Sequence, residues 1–236
     1  MQTQDIDYRA DAVNLRGYLA FDETSAAPRP GVLVFHEGLG FGDFVMARAR
    51  MLAELGYVAF AADMFGDRRN ARNLTEVAKL VGHLRSQPET LRGRGRAALA
   101  ALAALPQVDA GRLAAIGFCF GGSVVLELAR EGADPVVSFH GMLTTKMPAQ
   151  PGRVKAGVLV LTGADDPLAP PDQVAAFENE MRAAGARDWQ VVSYGNTLHG
   201  FTNPAADGSM MRTAQYNAEA DRRSWAAMRD FFEEML

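Results

Sequence analysis

The chain has 236 residues, 48% hydrophobic and 22% charged, which is enough apolar material for one large core, and it is read as a single domain over residues 1–236. The formal net charge is −4 and neither Lys nor Arg gathers into a block, so no footprint for nucleic acid exists. The opening Met-Gln-Thr-Gln-Asp-Ile-Asp has no export pattern and no apolar run approaches about 20 residues, so no membrane partner is expected and the cytoplasm is the expected location. One cysteine excludes an internal disulfide and any multi-Cys metal site, leaving a small buried hydrophobe or a working thiol.

Residues 8–21 read as two short strands turning near Asn14, an edge hairpin, followed by a Pro- and Ser-containing connector over 24–30. Residues 32–35, Val-Leu-Val-Phe, are a continuous apolar run ending in His36-Glu37-Gly38, the pattern of a strand buried on both faces that stops at a loop. A helix over 44–55 and a second buried strand over 57–62 follow; a polar loop holding Asp67, Arg68, Arg69 and Arg72 then leads to an Ala/Leu-rich helix over 92–105. Strands are expected at 112–117, 135–139, 156–161 and 189–194, with helices over 121–130, from Pro170, and from Thr213 to the end, the last carrying Trp225, Met228 and Phe232 at helical spacing. Strands alternating with helices imply an α/β fold: a mostly parallel twisted sheet with an antiparallel N-terminal hairpin and helices on both faces.

In such a sheet the chemistry collects in loops at the carboxyl ends of the strands. Gly117-Phe118-Cys119-Phe120-Gly121 fits a nucleophile elbow, a tight strand-to-helix turn flanked by glycines because side chains there would collide with the neighbouring backbone. The turn puts the sulfur at the positive end of a helix, which favours a thiolate. A glycine-rich turn around an inert cysteine, or a phosphate-binding turn, is the structural alternative. What favours the elbow is order: an acid and then a base follow downstream, as this arrangement requires. Asp166, in Gly163-Ala164-Asp165-Asp166-Pro167, is the expected acid, with Asp165 its competitor and helix capping the other use of either. Of the four histidines, His36, His83, His140 and His199, only His199 follows the acid, and it is the expected base. His140, at the end of its own strand, is read as structural. Glu37 follows an apolar strand and is trailed by Gly38 and Gly40, which makes it either a solvated loop charge or a group aimed at the site, and its position favours the site; the backbone N–H groups of Phe120 and Gly38 are the expected oxyanion hole. Phe41, Phe118, Phe120, Tyr194 and Phe201 are candidate walls for an apolar or aromatic acyl group, or core packing. No metal site and no cofactor are expected, since the histidines are scattered over different loops.

Glu37 after the first buried strand, Gly-x-Cys-x-Gly-Gly around Cys119, Asp166 with its following Pro170, and His199-Gly200-Phe201 together resemble the dienelactone hydrolase family, from about residue 8 to the end. The resemblance implies an α/β-hydrolase fold without a large cap domain, a Cys119–Asp166–His199 triad, and a resting thiol paired with Glu37, whose carboxylate substrate binding displaces to help deprotonate the sulfur. Members that cleave dienelactone hold the substrate carboxylate with arginines, one of them four residues after the catalytic histidine; that position is Asn203 here. Arg68, Arg69 and Arg72 are open candidates for the other arginine, and His36 before the glutamate also departs from the dienelactone-specific pattern. The implied activity is hydrolysis of a small-molecule ester or lactone by a monomer or homodimer, through an acyl-enzyme on Cys119. Two other readings stay open: an acyltransferase using the same acyl-enzyme, told apart by products formed with added alcohol or amine, and a non-catalytic ligand-binding or redox-sensing protein, told apart by the reactivity of the thiol.

Overall fold

A computed structural model of the chain describes residues 1–23, 27–133, 135–155 and 157–236. Part of the expected 24–30 connector and the Ala156 start of the strand expected over 156–161 fall outside the described residues. The chain divides into two compact units, Met1–Ile116 with Leu236, and Gly117–Met235.

The first unit contains β1 (Gln2–Ala10), β2 (Val13–Phe21), β3 (Arg29–Phe35), α1 (Asp43–Glu54), β4 (Val58–Ala62), α2 (Leu74–Ser86) and α3 (Pro88–Ala103), and β5 (Val108–Phe118) runs out of it into the second. β1 and β2 pair antiparallel throughout, from Gln2 with Phe21 to Ala10 with Val13. β2 then pairs antiparallel with β4, and β4 runs parallel to β3. All five residues of β4 and the last five of β3 are buried, as expected for strands covered on both faces.

Two differences from the sequence reading have simple causes. The polar stretch after Asp63 contains α2, capped by the Asn73 side chain accepting from the Glu76 N–H; Leu74, Val77, Leu80, Val81 and Leu84 recur there at helical spacing, a stripe that the sequence reading passed over. β5 begins four residues before the expected 112 because Asp109, Gly111 and Arg112 near its start read as a polar turn.

The second unit carries α4 (Phe120–Glu131), β6 (Val136–Phe139), β7 (Gly157–Gly163), α5 (Pro171–Ala184), β8 (Asp188–Tyr194) and α6 (Ala218–Met235). β6, β7 and β8 are parallel neighbours. α4 is buried from Phe120 to Arg130 and ends at Gly132 in the left-handed conformation; α5 starts on proline and ends at Gly185 in the same way. The closing helix starts at Ala218, not Thr213: Thr213 and Gln215 make backbone hydrogen bonds to His199 instead, and the Asn217 side chain accepts from Glu219 and Ala220 N–H to start the helix.

A buried ion cluster holds the loop after β6. Arg130 donates to both carboxylate oxygens of Glu180, at 2.7 and 2.9 Å, to Glu127 at 3.2 Å and to the Leu143 carbonyl at 2.9 Å, while Ala149 N–H donates to Glu180 at 2.8 Å. The cluster ties α4, α5 and residues 143–149 together. Removing one partner from such a cluster strands the other charges in a poor solvent. Arg130→Leu is therefore expected to cost roughly 3–5 kcal/mol, read as a lower urea midpoint at unchanged slope.

Candidate active site

β5 ends at Phe118 and α4 begins at Phe120, so Cys119 alone makes the turn, at φ 54° and ψ −112°. A β-carbon on Gly117 would overlap the Gly121 carbonyl, which is why the motif needs glycine where strand end and helix start nearly touch. The Cys119 N–H donates to the Phe139 carbonyl at 3.0 Å, and the half-buried sulfur sits at the amino end of α4.

The expected acid and base stand on the loops after β7 and β8. His199 Nδ1–H donates to Asp166 Oδ2 at 2.8 Å, with both side chains buried. Asp166 is itself held, its Oδ1 accepting from Leu168 N–H at 2.8 Å, whereas Asp165 is exposed. The two loops run close together: Asp165 N–H donates to the Thr197 carbonyl, and a β-carbon on Gly163 would overlap that carbonyl. His199 is pinned on both sides, its N–H donating to Thr213 O and its carbonyl accepting from Gln215 N–H, each at 2.9 Å.

His199 Nε2 is buried and meets no hydrogen-bond partner of ordinary length and angle among the described residues. Burial alone would disfavour a charged ring, but the neighbouring Cys119 sulfur and the Asp166 carboxylate outweigh it and push the His199 pKa up to about 10. Cys119, Asp166 and His199 thus come together within the second unit, carried by the ends of β5, β7 and β8.

The sequence matches the profile of the Dienelactone hydrolase family over residues 15–236. The chain belongs to the dienelactone hydrolase family. Among its relatives is the "Putative carboxymethylenebutenolidase" of Yersinia pestis, 28% identical over 229 residues that make up 92% of this chain and 83% of that protein. Two solved structures superpose with a TM-score of 0.95 at 42% identity: m3DLH, covering 100% of this chain and 98% of its own, and the dienelactone hydrolase-like promiscuous phosphotriesterase P91 from metagenomic libraries, covering 99% and 98%. The fold is the α/β-hydrolase fold, and the family's members are hydrolases of ester and lactone bonds.

The remaining residues expected from the family pattern lie in the first unit. Glu37 is half-buried directly after β3. Its carbonyl accepts from Gly40 N–H at 3.1 Å and from His36 Nδ1 at 2.7 Å, and His36 Nε2 accepts from Met64 N–H at 3.1 Å. His36 is therefore neutral, as its complete burial dictates by lowering its pKa, and it ties the loop that carries Glu37 and Gly38 to the one after β4. Arg68 lies 4.6 Å above the Phe41 ring and spends its donors on Asp5 and on the Gly17 and Arg16 carbonyls. It also lines a hollow of about 600 Å³ beside the β1–β2 hairpin, whose other walls include Asp7, Arg9, Arg16 and Asp67 and none of the other expected site residues. Arg72 is exposed and pairs with Glu76 at 3.6 Å, and Arg69 is exposed.

Asn203 turns its side chain back to accept from Ala205 N–H, while Phe41, Phe118, Phe120 and Phe201 are all buried. Among the described residues no three His, Cys, Asp or Glu side chains gather as metal ligands, and no helix is long and apolar enough to cross a membrane. Sequence reasoning missed residues 213–217, whose backbone fixes His199; the one available signal was Asn217, a helix-capping residue inside a stretch read as helix.

The raised His199 value has a definite pH sign. Folding favours the protonated ring, so the stability it contributes is complete below the unfolded value of 6.5 and is lost as pH rises from there through about 10. By imidazole NMR, His199 is expected to keep its proton through neutral pH and to titrate at markedly lower pH in Cys119→Ala, which lacks the neighbouring sulfur that favours the protonated ring. An unchanged titration in the variant would separate the two side chains.

Proposed function

We propose that the protein hydrolyses small carboxylic esters or lactones through a thioacyl-enzyme on Cys119. The observation that carries this reading is the buried His199, oriented by Asp166 at 2.8 Å and holding its proton because Cys119 is its neighbour. The sulfur attacks the carbonyl carbon, and the developing oxyanion takes hydrogen bonds from the backbone N–H groups of Phe120 and Gly38. The tetrahedral intermediate collapses as His199 passes its proton from Nε2 to the departing alkoxide. His199 then takes a proton from water as that water attacks the thioester, and the acid product leaves with the sulfur regenerated. Asp166 keeps the Nδ1 proton in place throughout and steadies the imidazolium.

Glu37 is assigned the auxiliary role that the family resemblance implies, pairing with the Cys119 sulfur at rest and moving aside when substrate binds. For a substrate carboxylate, Arg68 and Arg72 already have anionic partners, which makes Arg69 the first of the three to test. Phosphotriester cleavage by the same nucleophile is a second reading, supported by the 42% identity to P91; hydrolysis of a 4-nitrophenyl phosphotriester tests it directly.

The leading reading is tested with a 4-nitrophenyl carboxylic ester. Cys119→Ala and His199→Ala are each expected to lower kcat by about 10⁴-fold, and an active Cys119→Ala protein would overturn the assignment. Glu37→Gln is expected to change the pH profile of kcat/KM while leaving the triad geometry intact. A Glu37→Gln profile that overlays the parent's would remove Glu37 from the mechanism.

A further inference from the structure

Two fully buried side chains that the mechanism leaves unused, His140 and Thr202, lie behind the reacting groups. The Cys119 N–H that donates to Phe139 also reaches His140 Nδ1 at 3.1 Å. A backbone N–H can only donate, so Nδ1 is the acceptor and bears no proton. The ring proton is therefore on Nε2, which donates to Thr202 Oγ1 at 2.8 Å. Thr202 belongs to the loop that carries His199, three residues further along. The same imidazole meets the His199 ring edge-on, with centroids 5.2 Å apart and planes at 71°, and meets Phe201 at 5.1 Å and 75°. One neutral ring thus touches the turn that holds the nucleophile and the loop that holds the base.

We infer that His140 and Thr202 form a neutral strut that sets the position of the Cys119 turn against the His199 loop, which makes His140 a positioning residue for the reaction. The inference rests on the reading of Cys119 as nucleophile and His199 as its proton carrier. Its physical basis is the strain at Cys119. A non-glycine residue at φ 54° and ψ −112° persists only where its surroundings over-determine it, and a second acceptor for its N–H is one such determinant. His140 is itself at φ 40°, with its N–H bonded to Leu161 O at 2.8 Å, so the strut is anchored at its own backbone. The neutral tautomer matters twice: a doubly protonated ring would lose the Nδ1 lone pair that Cys119 uses, and it would place a positive charge against the His199 imidazolium.

Asn and Gln separate the two ends of the strut. In His140→Asn the amide oxygen can stand where Nδ1 stands and asparagine accepts positive φ, so the Cys119 contact is kept. In His140→Gln the longer side chain reaches toward Thr202 and leaves the Cys119 N–H without its second acceptor; Thr202→Val removes the far anchor. Each protein is compared with the parent for kcat and KM on a 4-nitrophenyl ester, for thermal midpoint, and for the pH dependence of iodoacetamide labelling, which reads Cys119 alone because it is the single cysteine. A misplacement near 1 Å is enough for about a 100-fold loss, so His140→Gln should lose about that much kcat with KM within about two-fold, and its labelling profile should shift. His140→Asn should recover most of both, and Thr202→Val should fall between. His140→Gln that turns over and labels like the parent, or His140→Asn that is as impaired as His140→Gln, would overturn the strut. Labelling needs no ester turnover, so a strut that does not matter is distinguishable from a wrong nucleophile, which an active Cys119→Ala control would reveal and which would overturn both readings.

Discussion

The arrangement depends on a turn with no room in it. The chain passes from β5 to α4 through one residue, and the approach is so close that a single added carbon at Gly117 would overlap the Gly121 carbonyl. Holding a cysteine there at positive φ is unfavourable by itself, on the order of 1–3 kcal/mol, and the fold offsets it with buried surroundings: Phe118 stacked on Phe139 at 4.7 Å, an α4 buried almost all round, and an N–H with acceptors at 3.0 and 3.1 Å. The strain keeps the sulfur at the start of the helix, out of the apolar packing on either side.

The proposed base, His199, is fixed by different means. His199 sits on a loop, where side chains are ordinarily mobile, yet its N–H, its carbonyl and its Nδ1–H are each in a hydrogen bond of 2.8–2.9 Å. One degree of freedom is left with a task, the buried Nε2. A ring held this way presents its proton in one direction, which acyl transfer requires because sulfur, leaving group and water must be served in turn from the same nitrogen. The loop that carries Glu37 is stiffened in a parallel manner in the first unit, where neutral His36 is bonded to the Glu37 carbonyl on one side and to Met64 N–H on the other.

Much of this was legible in the sequence because the fold demands it in a fixed order. Buried strands show as unbroken apolar runs, the elbow shows as spaced glycines, and an acid followed by a base after successive strands is a test that an unrelated chain would fail. The choice between Asp165 and Asp166 was beyond sequence, since adjacent loop residues point in different directions; the structure exposes the first and bonds the second to His199. α2 was legible in principle, since Leu74, Val77, Leu80, Val81 and Leu84 recur at helical spacing, but its polar neighbours made the whole stretch read as a loop. Residues 213–217 were misread for the opposite reason: their composition suits a helix, and tertiary hydrogen bonds to His199 and Phe201 override it. From the sequence His140 reads only as a structural histidine at a strand end, because nothing in a sequence says that a histidine's lone pair is used by another residue's backbone.

The central claim is a covalent bond between Cys119 and the acyl group of the substrate. Acid quenching during the first turnover of a 4-nitrophenyl ester, followed by intact-protein and peptide mass spectrometry, tests it most directly. One acyl adduct per chain is expected, on the peptide that contains Cys119, lost on treatment with hydroxylamine as a thioester is. An acyl group on a serine, threonine or histidine, or released product carrying oxygen from labelled water with no adduct at any time during turnover, would contradict it.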